Sequence, residues 1–243
     1  MNKNIILIIG ASSDIGIELI KSIDEECIIL AHYNSNDKVL KELSTSTNNK
    51  IELLQSNLSN ENEVKDMIVN IEQQYGLPNK IVFLSANRVE NIRFRDVKWI
   101  DFEKDINISL KSSVLILNSF LPKLAKEKRG KVVFMLSSYV MGVPPKLLSH
   151  YTTIKYALLG LCKSLASEYS DKNIQINSIS PSMIETKFLD NINEKFVELS
   201  AYNHPLKRNA NVKDVIPMIK ILLSKESDYM NGTNIPITGG SIF

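Results

Sequence analysis

The chain has 243 residues, 44% of them hydrophobic, with 29 lysines and arginines against 27 acidic residues. This length suits one α/β domain spanning residues 1–243, and the hydrophobic fraction is enough for a sizeable core. The near balance of charge gives no electrostatic reason to expect nucleic acid or an anionic membrane as a partner.

The two cysteines, Cys27 and Cys162, lie in apolar stretches, which is typical of reduced thiols in a cytoplasmic protein. The cysteines and the three histidines have no metal-ligand spacing, so no metal is predicted. The apolar run at residues 5–9 is short and leads into a turn, and no run of about 20 apolar residues occurs. We therefore expect neither a signal peptide nor a membrane span.

Short β-branched runs alternate with amphipathic stretches along the chain. The predicted strands cover residues 4–10, 27–33, 51–57, 80–86, 131–138, 174–181 and 233–239. The predicted helices cover residues 15–25, 36–46, 61–75, 100–126, 150–170 and 211–224. Apolar strands separated by helices predict a doubly wound parallel sheet with helices on both faces, a Rossmann-like α/β fold. Loops are predicted at Pro144-Pro145 and at residues 183–210.

The first predicted strand runs into the turn GASSDIG at residues 10–16, and a helix follows. Such a turn brings backbone N–H groups and a helix N-terminus to a pyrophosphate. Gly10 permits the tight turn, Gly16 lets the helix pack on the sheet, and Ser12 and Ser13 can donate to phosphate. The motif predicts a nucleotide site, although a turn without a cofactor remains an alternative at this point.

The second predicted strand ends in AHYNS at residues 31–35, where an acidic residue would bind the ribose hydroxyls of NAD. The next acid is Asp37, which leaves room for a 2′-phosphate. No arginine offers that phosphate a bidentate contact. The pattern favours NADP(H), with NAD(H) possible and an ordinary polar turn as the alternative. The candidate phosphate partners are His32, Asn34, Ser35 and Lys38.

The stretch YTTIK at residues 151–155 carries a tyrosine and a lysine four positions apart on a predicted helix. Their side chains therefore share one helix face. An ammonium near a phenol lowers the phenol's pKa, which would suit Tyr151 to general acid–base catalysis. Ser138, at the end of the fifth predicted strand, has a hydroxyl that can polarise a carbonyl. Taken alone, this spacing also fits an ordinary surface pair.

Together these stretches resemble the short-chain dehydrogenase/reductase family over essentially the whole chain. The resemblance implies hydride transfer between NADP(H) and a carbonyl or secondary alcohol, as in 3-oxoacyl-(acyl-carrier-protein) reductases. The stretches that carry it are GASSDIG at 10–16, DINIS at 105–109, MLSS at 135–138, YTTIK at 151–155, NSISPSMIET at 177–186 and NGTNIPITGG at 231–240.

The resemblance implies a catalytic tetrad of Asn107, Ser138, Tyr151 and Lys155. Tyr151 would donate the proton, and Lys155 would tune it and hold the nicotinamide ribose. Ser138 would hold the carbonyl oxygen, and Asn107 would bind a water linked to Lys155. The cofactor-binding residues implied by the motifs and the resemblance are Gly10, Ser12, Ser13, Ile15, Asn34, Ser35, Asn57, Leu58, Ala86, Tyr151, Lys155, Pro181, Ile184 and Thr186.

The chain departs from the family pattern at several positions near the cofactor. Asp14 replaces a glycine of the phosphate turn, and we expect it to cap the helix. Asn57 replaces an aspartate, and its amide could still bond the adenine. Leu84 and Asn87 replace the first asparagine and the glycine of the family's NNAG stretch. These departures leave open a nucleotide-sensing protein with this fold and no turnover.

Residues 183–208 are predicted as a substrate lid whose apolar side chains either line a pocket or pack at an oligomer contact. The first substrate class to consider is a small-molecule or carrier-bound 3-oxoacyl thioester, or a related ketone. NAD-dependent oxidation of a sugar or another alcohol is the alternative. The resemblance also implies a homotetramer or homodimer paired through the helices at 100–126 and 150–170. The basic turn at 126–131 fits either carrier docking or a solvated helix end.

Overall fold

The strands form one parallel sheet in the computed structural model, which describes residues 4–47 and 49–242. The order across the sheet is β3-β2-β1-β4-β5-β6-β7, so the chain changes winding direction between β3 and β4. This order confirms the doubly wound α/β fold. The strands are β1 (Ile5–Ile9), β2 (Ile28–Tyr33), β3 (Lys50–Gln55), β4 (Lys80–Phe83), β5 (Gly130–Met135), β6 (Ile174–Pro181) and β7 (Asn234–Ile237).

The helices cover both faces of the sheet. A π-helical segment, Ile106–Lys111, joins the fourth helix to the fifth within one continuous rod. The helices are α1 (Asp14–Ser22), α2 (Lys38–Ser46), α3 (Glu61–Gln74), α4 (Trp99–Asp105), α5 (Ser112–Glu127), α6 (Ser149–Glu168), α7 (Glu194–Asn203) and α8 (Val212–Leu223).

Two apolar cores lie on opposite faces of the sheet. One is closed by α3, α5 and α6, and the other by α1, α2 and α8. All five residues of β1 are buried, as expected for a central strand covered on both sides. Phe83 and Phe134 stack across β4 and β5 with ring centroids 4.9 Å apart. Each such side chain contributes about 1.5–3 kcal/mol by leaving water.

The helix α7 lies inside the stretch that the sequence predicted as a loop, so that prediction is wrong. Asn193 accepts a hydrogen bond from Lys195 N at 3.0 Å and caps the helix. The sequence Asn193-Glu194 is a helix-start signal that could have revealed it. Exposed apolar residues on α7 obscured the pattern, because Leu199 and Tyr202 are more than half exposed.

The cysteines and the possible metal ligands are distributed as follows. Cys27 and Cys162 are free and buried. Within residues 4–47 and 49–242, no three or more His, Cys, Asp or Glu side chains gather as metal ligands would. The helices of that part of the chain are too short or too polar to cross a membrane.

Candidate active site

A cleft of about 810 Å³ opens at the carboxyl ends of the strands. One end begins at the turn between β1 and α1, and the other reaches Tyr151 and Lys155 on α6. The change in strand order between β1 and β4 places this cleft at the switch point where doubly wound sheets bind ligands.

The β1–α1 turn is built for close approach to its backbone. Gly10 has φ +85°, and a Cβ there would come 2.9 Å from Ser85 N. A Cβ on Gly16 would come 2.5 Å from Ala11 O. The Ser13 hydroxyl donates to Gly10 O at 2.7 Å and accepts from Gly16 N at 3.1 Å, which caps α1. This turn and helix N-terminus fit the pyrophosphate of a dinucleotide.

Asp14 does not cap α1, contrary to the sequence expectation, because Ser13 holds the cap position. The Asp14 carboxylate instead accepts a hydrogen bond from Lys187 N at 2.8 Å. Lys187 begins the short 3₁₀ turn after Thr186. Asp14 therefore ties the β1–α1 turn to the start of the predicted lid.

His32 lies beneath the turn and is not available to a 2′-phosphate. Its Nδ1 accepts from Gly10 N at 3.1 Å, and its Nε2 lies 3.0 Å from Ser56 O. Burial lowers the pKa of His32 to about 4, so the ring is neutral at physiological pH. A neutral imidazole that bridges three strands is structural, and the suggested phosphate contact of His32 is wrong.

The rim beyond β2 is polar and uncharged where it meets the cleft. Tyr33, Asn34 and Asn36 line it, whereas Ser35 is not among the described residues that do. The Asp37 carboxylate is paired with Lys41 at 2.8 Å. The rim therefore presents amide and phenol groups to a ribose, with the nearby acid already engaged.

Asn57 lines the cleft at the end of β3. Its Oδ1 accepts from Ser59 N at 3.1 Å and from Ser59 Oγ at 2.8 Å. The side-chain amide nitrogen is thus the group of Asn57 that remains to meet an adenine.

Tyr151 and Lys155 meet at the other end of the cleft. Lys155 Nζ lies 5.5 Å from the centre of the Tyr151 ring and donates to Met135 O at 2.8 Å. Burial lowers the pKa of Lys155 to about 8. Burial raises the pKa of Tyr151 well above its ordinary value, so the expected lowering by Lys155 is not found.

Ser137, rather than Ser138, faces the tyrosine. The Ser137 side chain lowers the pKa of Tyr151 against the larger rise caused by burial, and Ser137 lines the cleft beside Tyr151. Ser138 is buried, begins a 3₁₀ turn and is not among the described cleft residues. Ser137 is still extended, with φ −158° and ψ 150°, and neighbouring side chains on extended backbone point opposite ways. The structure therefore places Ser137 in the cleft lining in place of the predicted Ser138.

Asn107 is likewise absent from the described residues that line the cleft, where its neighbour Ile108 is found. Asn107 lies in the π-helical segment, which shifts the side-chain directions that a regular helix would give. Ser109 from the same segment is buried, and its Oγ donates to Ser85 O at 3.4 Å. The suggested role of Asn107, a water linked to Lys155, stays a prediction.

The remaining predicted cofactor residues are brought together. Thr186 Oγ1 lies near Ile184 O at 3.4 Å, where the chain leaves β6. Those that line the cleft are Gly10, Ser12, Ser13, Ile15, Asn34, Asn57, Leu58, Ala86, Tyr151, Lys155, Pro181, Ile184 and Thr186.

Apolar side chains surround the tyrosine on the side away from the turn. The rings of Tyr139 and Phe188 both have centroids 6.3 Å from that of Tyr151.

Arg88 and Asp190 form an ion pair at 3.4 Å between the segment after β4 and the lid. Sequence reasoning missed Ser137, Tyr139 and Arg88, although the SSY stretch contained a second serine. Further apolar residues lining this part are Val89, Leu147, Leu148, Leu189, Ile192 and Phe196.

Comparison with known proteins agrees with this geometry. A family model described as enoyl-(acyl carrier protein) reductase matches residues 10–241. The 3-oxoacyl-(acyl-carrier-protein) reductase FabG of Thermotoga maritima is 26% identical, with 100% of this chain and 99% of that protein covered. The reductase of the same name from Rickettsia bellii is 25% identical over 97% of this chain and 95% of that protein.

Solved structures share the fold over nearly the whole chain. ElxO with NADP bound superposes with a TM-score of 0.84 at 25% identity, covering 98% of each chain. Levodione reductase superposes with a TM-score of 0.86 at 22% identity, covering 98% of this chain and 96% of the other. The family model, the relatives and the site geometry agree: the chain belongs to the short-chain dehydrogenase/reductase family and is an NAD(P)-dependent oxidoreductase acting on C=O or CH–OH groups.

Proposed function

We propose that the protein is an NADP(H)-preferring reductase of ketones, with Tyr151 as the proton donor. One observation carries the proposal: Tyr151, Lys155 and Ser137 converge at one end of a cleft whose other end fits a pyrophosphate. This placement of the three residues matches what hydride transfer requires, because the cofactor and the substrate carbonyl must meet at Tyr151.

A bound nicotinamide cofactor supplies the hydride. Tyr151 donates its phenolic proton to the carbonyl oxygen, and its raised pKa keeps the phenol protonated at neutral pH. An alkoxide is more basic than a phenolate, so this transfer is favourable as the alcohol forms. Ser137, which lines the cleft beside Tyr151, donates to the same carbonyl oxygen and holds it in place. Lys155 places positive charge beneath the phenolate that remains.

The preference for NADP(H) rests on the rim after β2. No carboxylate of the described residues lines the cleft between Tyr33 and Asn36, and Asp37 is paired with Lys41. A ribose 2′-phosphate therefore meets amide and phenol groups without repulsion from a nearby acid. The 25% identity to a protein solved with NADP bound is consistent with this preference.

The substrate proposed first is a 3-oxoacyl thioester, free or carrier-bound. The apolar lining around Phe188, Leu189, Ile192 and Phe196 suits an acyl chain next to the carbonyl. Relatives that match nearly the whole chain are named as 3-oxoacyl-(acyl-carrier-protein) reductases. Oxidation of a sugar or another alcohol with NAD is the alternative within the same chemistry.

The proposal is tested by titrating the protein with NADPH and NADH and following nucleotide fluorescence. We expect tighter binding of NADPH, followed by turnover of 3-oxoacyl thioesters in a carbonyl panel. If the protein bound NADH tenfold or more tightly than NADPH, a difference of about 1.4 kcal/mol, the inference that the rim after β2 accepts a 2′-phosphate would be overturned. Binding without turnover of any carbonyl or alcohol would favour a nucleotide-sensing role, and binding of neither nucleotide would overturn the proposal.

Replacement of Tyr151 with Phe isolates the chemical step. The variant lacks the phenolic hydroxyl that donates the proton, so kcat should fall by about 10²–10⁴-fold while NADPH binding changes little. Single-turnover kinetics with NADPH measure the loss, and fluorescence titration is the control for cofactor binding. Retention of most of the activity would show that another group donates the proton.

We also propose a homodimer or homotetramer paired through α5 and α6. Val114 on α5 and Tyr156 on α6 are apolar and exposed, at 40% and 46%, on helices whose other faces are buried. Light scattering of the purified protein measures the assembly. A monomer at micromolar concentration would contradict the proposal.

A further inference from the structure

A carboxyl group that the proposed mechanism does not use is buried behind the lysine. Asp105 is the last residue of α4, and only 8% of it is exposed. Asn87, from the segment after β4, donates from Nδ2 to Asp105 Oδ1 at 2.7 Å. A buried carboxylate is costly unless charges or several donors stabilise it, so one neutral amide is an incomplete environment for it.

The titratable groups around Asp105 come from two packed elements. Burial raises the pKa of Asp105 above its ordinary value, and His150 and Lys155 of helix α6 act in the lowering direction. Glu90, on the same segment as Asn87, acts in the raising direction. Asp105 in turn raises the pKa of both Lys155 and Tyr151. The carboxyl is hydrogen-bonded to Asn87, which lines the same cleft as Tyr151 and Lys155, so it lies on the side of the cleft that carries the proposed chemistry.

His150, on helix α6, is a second buried polar group in this region. It is 5% exposed, and its Nδ1 is buried without a hydrogen-bond partner among the described residues. Its ring packs edge-on against Phe102 of α4, with centroids 6.4 Å apart. The imidazole is thus buried where α6, which carries Lys155, packs against α4, which carries Asp105.

Lys155 has little else to keep it charged. Its side chain is buried, and the hydrogen bond seen from its Nζ goes to the neutral carbonyl of Met135. Desolvation alone would favour the neutral amine, which could not support the phenolate of Tyr151. A nearby carboxylate opposes that loss of charge.

We propose that Asp105, held in place by Asn87, is a positioning residue of this reductase: its buried carboxylate keeps Lys155 in the ammonium form beneath Tyr151. The residue acts through Lys155 and touches neither the substrate nor the cofactor. This inference rests on the proposed function for its catalytic meaning, but its electrostatic content can be measured without nucleotide.

The first test measures the protonation of Lys155 in nucleotide-free protein. Trace acetylation with acetic anhydride at a series of pH values, read at Lys155 by mass spectrometry, gives the midpoint of its titration. Asp105→Asn keeps the size and can still meet Asn87, so the midpoint should fall by about one pH unit from loss of the charge. Glu103→Gln removes one exposed charge from the same helix and should leave the midpoint unchanged.

A midpoint that is the same in all three proteins would overturn the inference whether or not the protein proves to be a reductase. Absence of NADPH binding in the unsubstituted protein would instead count against the proposed function alone. Should Asp105→Asn fold poorly, the double variant Asn87→Gly with Asp105→Val removes both buried polar partners together, and the same fall is expected. Circular dichroism and thermal melts verify the fold.

The second test follows ketone reduction as a function of pH. In Asp105→Asn the basic limb of kcat/KM should move to lower pH by the same amount as the Lys155 midpoint, and Asp105→Glu should restore it. A purely structural role would lower kcat/KM equally at every pH. If kcat/KM fell equally at every pH and the basic limb of its pH profile did not move, the proposed role would be contradicted.

Discussion

The cleft has two ends: the end at the β1–α1 turn, called the phosphate end after the pyrophosphate proposed to bind there, and the end at Tyr151 and Lys155, called the chemical end. Each end combines an acid with a buried base, and these groups act differently at the two ends. At the phosphate end, the base is His32, which is neutral and bridges Gly10 N and Ser56 O. At the chemical end, the base is Lys155, which donates to Met135 O and lies within the field of Asp105. Both bases are buried and both meet a backbone carbonyl, so burial alone does not decide their charge.

The charges differ mainly because lysine is intrinsically more basic than histidine: burial lowers the pKa of Lys155 from 10.5 to about 8 and that of His32 from 6.5 to about 4. The acids at the two ends also act differently. Asp14 is partly exposed and uses its carboxylate as a hydrogen-bond acceptor for Lys187 N, away from His32. Asp105 is buried close enough to Lys155 and Tyr151 to influence the pKa of both. In a buried site, charge acts over a longer range than in water. The phosphate end is therefore held by hydrogen bonds, and the chemical end is tuned by charge.

The largest expected effect concerns the serine at the chemical end. Ser137→Ala should lower kcat by about a hundredfold or more, because the carbonyl oxygen loses a donor beside Tyr151. Ser138→Ala is the matched control, one residue away and outside the described cleft lining, and should change kcat only a few-fold. Steady-state kinetics at saturating NADPH measure both. The reverse ranking would return the role to Ser138.

This pair of serines also shows what the sequence can predict. All seven strands were predicted. The inner strands are apolar runs that the sheet largely buries, whereas the edge strands β3 and β7 are only partly buried. The turn between β1 and α1 was predicted as well from its glycines, and Gly10 and Gly16 stand where no Cβ fits. The choice between Ser137 and Ser138 depends on where extended backbone gives way to a turn, and a shift of one residue reverses the side-chain direction.

The helical side of the site was harder for a similar reason. Asn107 lies in a π-helical segment, and nothing in the sequence indicated that the helix would change its hydrogen-bonding pattern there. Asp105 could not be recognised from sequence, because its burial depends on α4 packing against α6 and on the amide of Asn87. Hydrophobic periodicity reports which face of a helix is covered, and it says little about which charged groups meet across that face.

The next expected effect tests whether the base at the phosphate end is neutral. The pKa of His32 is about 4 when folded and near 6.5 when exposed, so the unfolded chain binds the proton more readily. The stability contributed by neutral His32 is fully present above pH 6.5 and is lost as pH falls toward 4. At pH 5 the loss should be about 2 kcal/mol.

Urea unfolding of the unsubstituted protein and of His32→Asn, at pH 7 and pH 5, measures this loss. Other titrating groups are common to both proteins. Between pH 7 and pH 5 the free energy of unfolding should therefore fall by about 2 kcal/mol less in the variant, whatever its absolute stability. Equal losses would mean that His32 is charged in the fold, and the contrast with Lys155 would disappear.

The smallest expected effect separates the two properties of Asp14. Asp14→Asn keeps an acceptor for Lys187 N and removes the charge, whereas Asp14→Gly removes both. Loss of charge beside a pyrophosphate should tighten NADPH binding in both variants by up to about tenfold, or 1.4 kcal/mol.

Only Asp14→Gly frees the start of the lid, so trypsin should cut after Lys187 several-fold faster in that variant without nucleotide. Because the hydrogen bond joins residues 173 positions apart, its loss is felt at the lid and not within α1, which Ser13 caps in every variant. Equal cleavage of the two variants would show that the hydrogen bond does not hold the lid, and the phosphate end would then depend on charge just as the chemical end does.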